Sequence, residues 1–428
     1  MRSQSFDGEL LAYMRRKSDR FKFGSAGSYP SDKAQWEAYL SLLHQKVNAT
    51  KQIPDNFSRF TIKRKSGLTA NELATVILLR KVNDNIRKAY GIKQPSRGEI
   101  THEVAQLLHE NTTKHVIKVD IKSFFESVPI SQIYKQLEQD RKLSTLTLHL
   151  VSDFLRLCKK HQFHGVPRGL SLSATLAELH VRDLDRQIRN IPGVYHVNRY
   201  VDDITIFCFK DAEETSKKIR EILRSFGLRL NSSKCKTYSV HMECSLKCPA
   251  PKLCPHNACE VKVSNKTQTL ELLGYAYEFK RENGSKKNVV SIRLSRKKIA
   301  RMKTRIVRSF DNFRLTGDAA MLLRRIKYLA GNHMLKSSQN RGRLRAGIFY
   351  SYMHCDLKDP GFVSQLRDLD GFLRARIANS TRAALNPLSL SNAARLGRVS
   401  FHAAVAHRIT SKSGPHGIDS VKECWKYG

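Results

Sequence analysis

The sequence predicts an α+β fold, on three observations. Around Tyr200-Val201-Asp202-Asp203, apolar and β-branched residues run in from Val194 and out to Phe209, the pattern of two strands folding back at a tight turn. A second apolar run, Val116 to Asp120, reads as another strand ending in an aspartate. Elsewhere apolar residues recur at helical spacing, most clearly Ile299, Met302, Ile306 and Phe310 after a capping Ser295.

Taken in order, residues 1 to about 60 read as helices, with Trp36, Tyr39, Leu40, Leu42 and Leu43 on the apolar face. Phe60 to Gly67 reads as a short strand that carries Lys63, Arg64 and Lys65 into a Ser-Gly turn. A helix is expected from Thr69 to about Tyr90, a break at Pro95-Ser96-Arg97-Gly98, and a second helix from Glu99 to Glu110. Gly165-Val166-Pro167-Arg168-Gly169 is a turn that opens a helix with Leu172, Leu176, Leu179 and Leu184 inward; its backbone N–H groups could meet a phosphate or ribose. Ala212 to Phe226 is a helix, Gly227 to Thr237 turns back into a strand, and Leu270 to Tyr277 is a strand broken at Gly274.

Charge narrows the function. Over 428 residues, 76 Lys+Arg stand against 38 Asp+Glu, a net charge of +38 that implies a polyanionic partner, with nucleic acid ahead of a membrane surface. No segment approaches the roughly 18 apolar residues of a spanning helix, and the N-terminus lacks the layout of a signal peptide. The reading is cytoplasmic, with the nine cysteines as thiols or metal ligands rather than a disulfide framework. From Arg281 to Arg345 nineteen Lys/Arg face only Glu282, Asp311 and Asp318, a density that self-repels unless an anion lies across it. Two adjacent carboxylates at a hairpin tip also repel, and a cation relieves them. Taken alone, Asp202-Asp203 could equally be a solvated turn, and a single Asp120 at a strand end is more often a cap than a ligand.

Read together, these segments resemble, in order, the motifs of a reverse transcriptase over roughly residues 60 to 280. Val119-Asp120 through Phe125 is similar to the first metal-binding motif, Gly165 through Ser173 to the substrate-positioning motif, and Tyr200-Val201-Asp202-Asp203 to the second metal motif. Leu230-Asn231 through Lys234 resembles the next, and Leu272-Leu273-Gly274-Tyr275 the primer grip. Pro167-Arg168-Gly169-Leu170-Ser171, followed by Ala177-Glu178-Leu179, looks most like the bacterial defence-associated reverse transcriptases of the abortive-infection and unknown-group lineages. Lys327 to Asn332 and Gly347 to Ser351 incline it to their type-3 class.

The resemblance implies a right-hand polymerase of fingers, palm and thumb, with an antiparallel palm sheet and a helical C-terminal thumb. Residues 1–115 would form N-terminal helices and fingers; 116–284 the palm, with 126–165 partly fingers; and 285–428 a basic helical thumb. It implies two Mg²⁺ ions on Asp120, Asp202 and Asp203, with Lys234 on the pyrophosphate side, although Lys236 competes for that role. Lys63, Lys65 and Arg97 are candidates for the triphosphate by position and charge. Arg168, Gly169 and Tyr200 fall in substrate-binding motifs, and Phe125 stands where the family places the residue under the sugar. The partners implied are an RNA template, a dedicated non-coding RNA in antiphage defence, with dNTPs, the DNA product and room for a second protein subunit. A template-independent DNA polymerase and a catalytically idle RNA-binding scaffold are the competing functions; the intact carboxylates argue against the scaffold.

One stretch departs from the family pattern. Cys244, Cys248, Cys254 and Cys259, interleaved with His241 and His256, are either a structural zinc site or a loop of free thiols, since their spacings do not match the common knuckles.

Overall fold

In the computed structural model the described residues are 4–16, 18–24, 29–62, 65–93, 95–110, 112–240, 267–281, 288–336, 343–408, 410–413 and 418–425. The chain divides into two compact units, one built from residues 1–95 and 113–240 and the other from 96–112 and 241–428.

The first unit holds a two-stranded ribbon and a four-stranded sheet. In the ribbon, β1 (Phe57–Ile62) pairs antiparallel with β2 (Lys65–Ala70), and Ile62 stands opposite Lys65. Ser66 and Gly67 are therefore paired within β2, opposite Thr61 and Phe60, and do not form the turn that the sequence suggested. Gly67 serves a different purpose inside β2. A Cβ there would lie 2.6 Å from the Arg168 carbonyl oxygen, so glycine permits that backbone to approach. Because β2 runs to Ala70, the next helix starts at Leu73 rather than Thr69 and ends at Tyr90, capped by Gly91 in the left-handed region.

In the larger sheet, β3 (Lys114–Asp120), β4 (Val194–Tyr200), β5 (Asp203–Cys208) and β6 (Lys236–Val240) lie in the order β4-β5-β3-β6, antiparallel at every pairing. The central strand β5 is buried along Ile204 to Cys208, which explains its unbroken apolar run. One core joins Ile117, Val119, Ile204 and Ile206 of the sheet to Ile77, Leu78 and Val82 of the Leu73–Tyr90 helix. It continues through Leu150 and Phe154 of helix Thr145–Lys160 and Leu172, Leu176 and Leu179 of helix Ser171–His180.

The second unit carries an antiparallel meander of β7 (Gln268–Leu272), β8 (Tyr275–Arg281) and β9 (Asn288–Leu294). Helix Arg97–His109 packs on β9. Helix Arg296–Thr316 follows as predicted, with the Ser295 side chain accepting from the Lys298 N–H and with Met302, Ile306, Phe310 and Phe313 buried. It packs against helices Ala319–Ala330 and Pro360–Thr381. A small sheet places β10 (Asn332–Lys336) between antiparallel β11 (Arg343–Gly347) and parallel β12 (Thr410–Ser413). Near the C-terminus the Trp425 indole N–H donates to the Arg305 carbonyl at 3.1 Å and to Ser309 Oγ at 3.2 Å, and the ring is buried. Both units mix helices with antiparallel sheet, as the α+β reading expects. Among the described residues no helix is long and apolar enough to cross a membrane.

Candidate active site

β4 and β5 pair with Tyr200 opposite Asp203, leaving Val201 and Asp202 as the two residues of the turn. Val201 sits at φ 59°, where a β-branched side chain is rare and costs on the order of 1–3 kcal/mol. The turn is held from the next strand, because the Ile121 N–H donates to the Asp202 carbonyl at 3.0 Å. On the other side of β5, Asp120 is directly opposite Asp203 in the β3–β5 ladder. Two distant aspartates thus become cross-strand neighbours on one face, with Asp202 beside them in the turn.

The segment before β6 closes on Asp120. The Asn231 N–H donates to the Asp120 carbonyl at 2.8 Å, and its side-chain amide to Oδ1 at 3.1 Å. A short 3₁₀ turn, Ser232–Lys234, then places the Lys234 ammonium 3.0 Å from each Asp120 oxygen. Lys118, two residues before Asp120 and therefore on the same strand face, brings its Nζ to 4.0 Å from Asp203 Oδ1. Three carboxylates and two ammonium groups share this corner. Burial, and after it the charges of Asp202 and Asp120, raise the Asp203 pKa against the opposing pull of Lys118 and Lys234. The Lys234 pKa is raised in turn, first by its hydrogen bond to Asp120.

This donor set fits a hard divalent cation, since it consists of carboxylate oxygens whose like charge the two ammonium groups only partly offset. Among the described residues, no three His, Cys, Asp or Glu side chains are gathered closely enough to form a ready-made cage. A Mg²⁺ ion here would take one or two carboxylates and complete its shell from water and substrate.

The other predicted residues fall into two groups. Phe125 lies in the short helix Phe124–Ser127 after β3 and packs edge-on to the buried Phe124 ring, with centroids 5.5 Å apart. Phe124 is the core ring, and Phe125 is half-buried. The Arg168 guanidinium lies 5.0 Å above the Phe125 ring and grips Glu126 with two hydrogen bonds of 2.8 and 3.1 Å. Burial works to raise the Glu126 pKa, but the Arg168 hydrogen bond, with smaller help from its own N–H and Lys65, holds it below the usual value. Arg168 is thus already engaged. Its carbonyl accepts from the Leu68 N–H at 2.9 Å, tying the Gly-Val-Pro-Arg-Gly turn to β2. Gly169 follows at φ 98°, a conformation that only glycine adopts without strain. Lys65 is exposed at the start of β2.

Arg97 is engaged within its own unit. It belongs to the second compact unit, while the carboxylates belong to the first. Its guanidinium donates to the Leu273 carbonyl and, at 2.9 Å, to the Tyr350 hydroxyl, and it lies 5.3 Å from the Tyr275 ring centroid. It braces the Leu273-Gly274 turn between β7 and β8. A free cation near a Pro-Ser break looked available in the sequence because its partners lie more than 170 residues away. Lys63 and the Cys244–Cys259 cluster lie outside the described residues.

Sequence reasoning missed three supports. Lys118 was legible in principle, because residues two apart on a strand share a face. The Asn231 contacts and the Arg199 ion pairs were not, since they depend on tertiary placement. Arg199 is buried and bonds Glu178 at 2.9 Å and Asp185 at 2.7 Å, fixing β4 to the helices beneath it.

The family model described as reverse transcriptase (RNA-dependent DNA polymerase) matches residues 61–277, just over half of the chain. A search of curated proteins finds no match. Among solved structures, apo telomerase from Candida Tropicalis, truncated from its C-terminal domain, matches at 14% identity and a TM-score of 0.30. That alignment covers 47% of this chain and 42% of the telomerase chain, so the chain spans less than half the length of that relative.

Proposed function

This chain belongs to the reverse transcriptase family of RNA-dependent DNA polymerases, and on that premise we propose that it copies an RNA template into DNA by nucleotidyl transfer. The observation that carries the proposal is Asp120 directly opposite Asp203, with Asp202 in the adjoining turn. Two Mg²⁺ ions at such a site would lower the pKa of the primer hydroxyl and hold the triphosphate.

The chain's own residues orient the rest. Asn231 fixes the Asp120 carboxylate. The Lys234 ammonium, which Asp120 keeps protonated, is a proton carrier beside the site. Phe125, wedged between Phe124 and Arg168, presents a rigid ring that passes a deoxyribose and collides with a 2′-hydroxyl. The four-stranded sheet serves as the palm, and the basic helices after residue 285 grip the template–product duplex by its phosphates.

The finer reading is a cytoplasmic enzyme that copies a dedicated non-coding RNA in antiphage defence. Its support is the sequence Pro167-Arg168-Gly169-Leu170-Ser171 with Ala177-Glu178-Leu179. The test is extension of a primer on RNA with Mg²⁺ and dNTPs, together with sequencing of the nucleic acid that copurifies. Template-directed DNA lost in the Asp202→Asn/Asp203→Asn variant supports the proposal, and a single recurrent RNA among the templates supports the finer reading. Untemplated tails would indicate a terminal transferase, and bound RNA without any DNA would indicate a scaffold.

A further inference from the structure

We propose that a groove behind the Asn231 segment binds the phosphates of a single-stranded stretch of RNA. The groove, about 620 Å³, is lined by Arg220, Arg224, Gly227, Leu228, Arg229 and Leu230. Arg220 and Arg224 stand one turn apart on helix Ala212–Ser225, and Arg229 faces them from the returning chain. All three are exposed. The helix neutralises its earlier cations, pairing Lys217 with Glu213 and Lys218 with Glu214. Among the described residues none of the three arginines has an ion-pair partner. Three clustered guanidiniums repel one another, and an anion lying between them removes that repulsion.

Size and position select the ligand. The volume is that of a cleft for a small organic ligand rather than a single phosphate. The cations are strung along the walls, which suits a chain of phosphates better than a point charge. Gly227 is at φ 70°, and a Cβ there would meet nothing within 4 Å, so the groove stays open at the turn, while buried Leu228 anchors its floor. The wall also continues into the active site. The Lys122 N–H donates to the Arg229 carbonyl at 2.8 Å, Leu230 bridges Ile121, and the Asn231 N–H donates to the Asp120 carbonyl at 2.8 Å. A strand in the groove would therefore lie along the backbone that supports Asp120. The inference extends the polymerase reading, but its readout is binding and needs no turnover.

The experiment compares full-length wild type with Arg220/Arg224/Arg229→Gln in binding a labelled single-stranded RNA of mixed sequence across a salt series. Each phosphate released from counterions contributes about 0.7 to the log–log slope for single strands, so the triple variant should flatten it by roughly two. The Arg→Lys triple variant should keep most of the slope, and Asp202→Asn/Asp203→Asn all of it. An unchanged slope in the Gln variant overturns the proposal. So does unchanged RNA binding with a raised KM for dNTP or weakened competition by pyrophosphate, which would assign the groove to free nucleotide. If wild type fails to polymerise yet the slope flattens, the polymerase reading falls and the groove stands.

Discussion

Asp203 ionises against its own surroundings. Its pKa is raised by burial and then by Asp202 and Asp120, so ionising it costs stability at pH values above the ordinary carboxylate range. Asp202→Asn/Asp203→Asn should therefore abolish dNTP incorporation while melting no lower than wild type near pH 7. That advantage should shrink as the pH falls through the raised Asp203 pKa, where the wild-type Asp203 takes up its proton. Mg²⁺ should raise the melting temperature of wild type more than that of the variant. A variant that polymerises at wild-type rate would sink the site assignment. Phe125 makes a second residue-scale prediction. Phe125→Ala should narrow dNTP-over-NTP discrimination at least tenfold, equivalent to about 1.4 kcal/mol of transition-state binding. Because Arg168 and Glu126 clamp that ring as one pair, Arg168→Gln and Glu126→Gln should each narrow it in the same direction, and their double variant little further. Additive effects in single-turnover incorporation would separate Arg168 from Phe125. The positions of Asp120 at a strand end and of Asp202-Asp203 at a hairpin tip could be read from the sequence, because both are local patterns. The Arg168–Glu126 clamp could not, since it joins residues 42 positions apart.

The helix Arg296–Thr316 shows where periodicity stops being sufficient. Its apolar stripe and its Ser295 cap were legible, and the helix forms where they put it. The stripe leaves most of the helix's cations pointing away from the core, and Lys298 is an exception. Its ammonium lies 4.5 Å from the Tyr275 ring centroid and donates to the Ser351 carbonyl at 3.0 Å. Burial, then Arg97, push its pKa down to about 8. A lysine whose folded pKa lies below its unfolded value favours folding increasingly as the pH rises between the two. Wild type should therefore gain stability relative to Lys298→Met between about pH 8 and 10, and denaturant melts across that range would show it. Equal pH slopes for the two proteins would place Lys298 in solvent. The exposed Arg296, Lys297 and Arg301 are the phosphate candidates. Their triple Gln variant should flatten the salt slope for an RNA–DNA duplex by roughly two, almost independently of sequence.

For the whole molecule, the α+β class and the order of the motifs were legible, because strand and helix periods are local. The partition of the chain was not. Helix Arg97–His109 reads as a continuation of the N-terminal helices, yet it packs on β9 in the second unit, with Ile100, Thr101, Val104 and Leu108 buried. The C-terminal end carried no readable motif, and Trp425 nevertheless caps the second unit's core through Arg305 and Ser309. Trp425→Ala should destabilise that unit by about 3–5 kcal/mol, the usual range for emptying a buried indole site. Calorimetry or hydrogen exchange should show the loss in residues 296–330 and spare the four-stranded sheet. A loss spread evenly over both units would mean that they unfold as one.

The insertion of one unit's chain into the other also sets a timetable for synthesis. Helix Arg97–His109 leaves the ribosome about 180 residues before β9, the strand it packs against. At 5–20 residues per second, that interval lasts roughly 10–40 s. The four-stranded sheet can close during the wait, because its last strand ends at Val240. The orphan helix meanwhile offers its apolar face to whatever chaperone or neighbouring nascent chain is at hand, which makes it the segment most exposed to misassembly while the protein is being made.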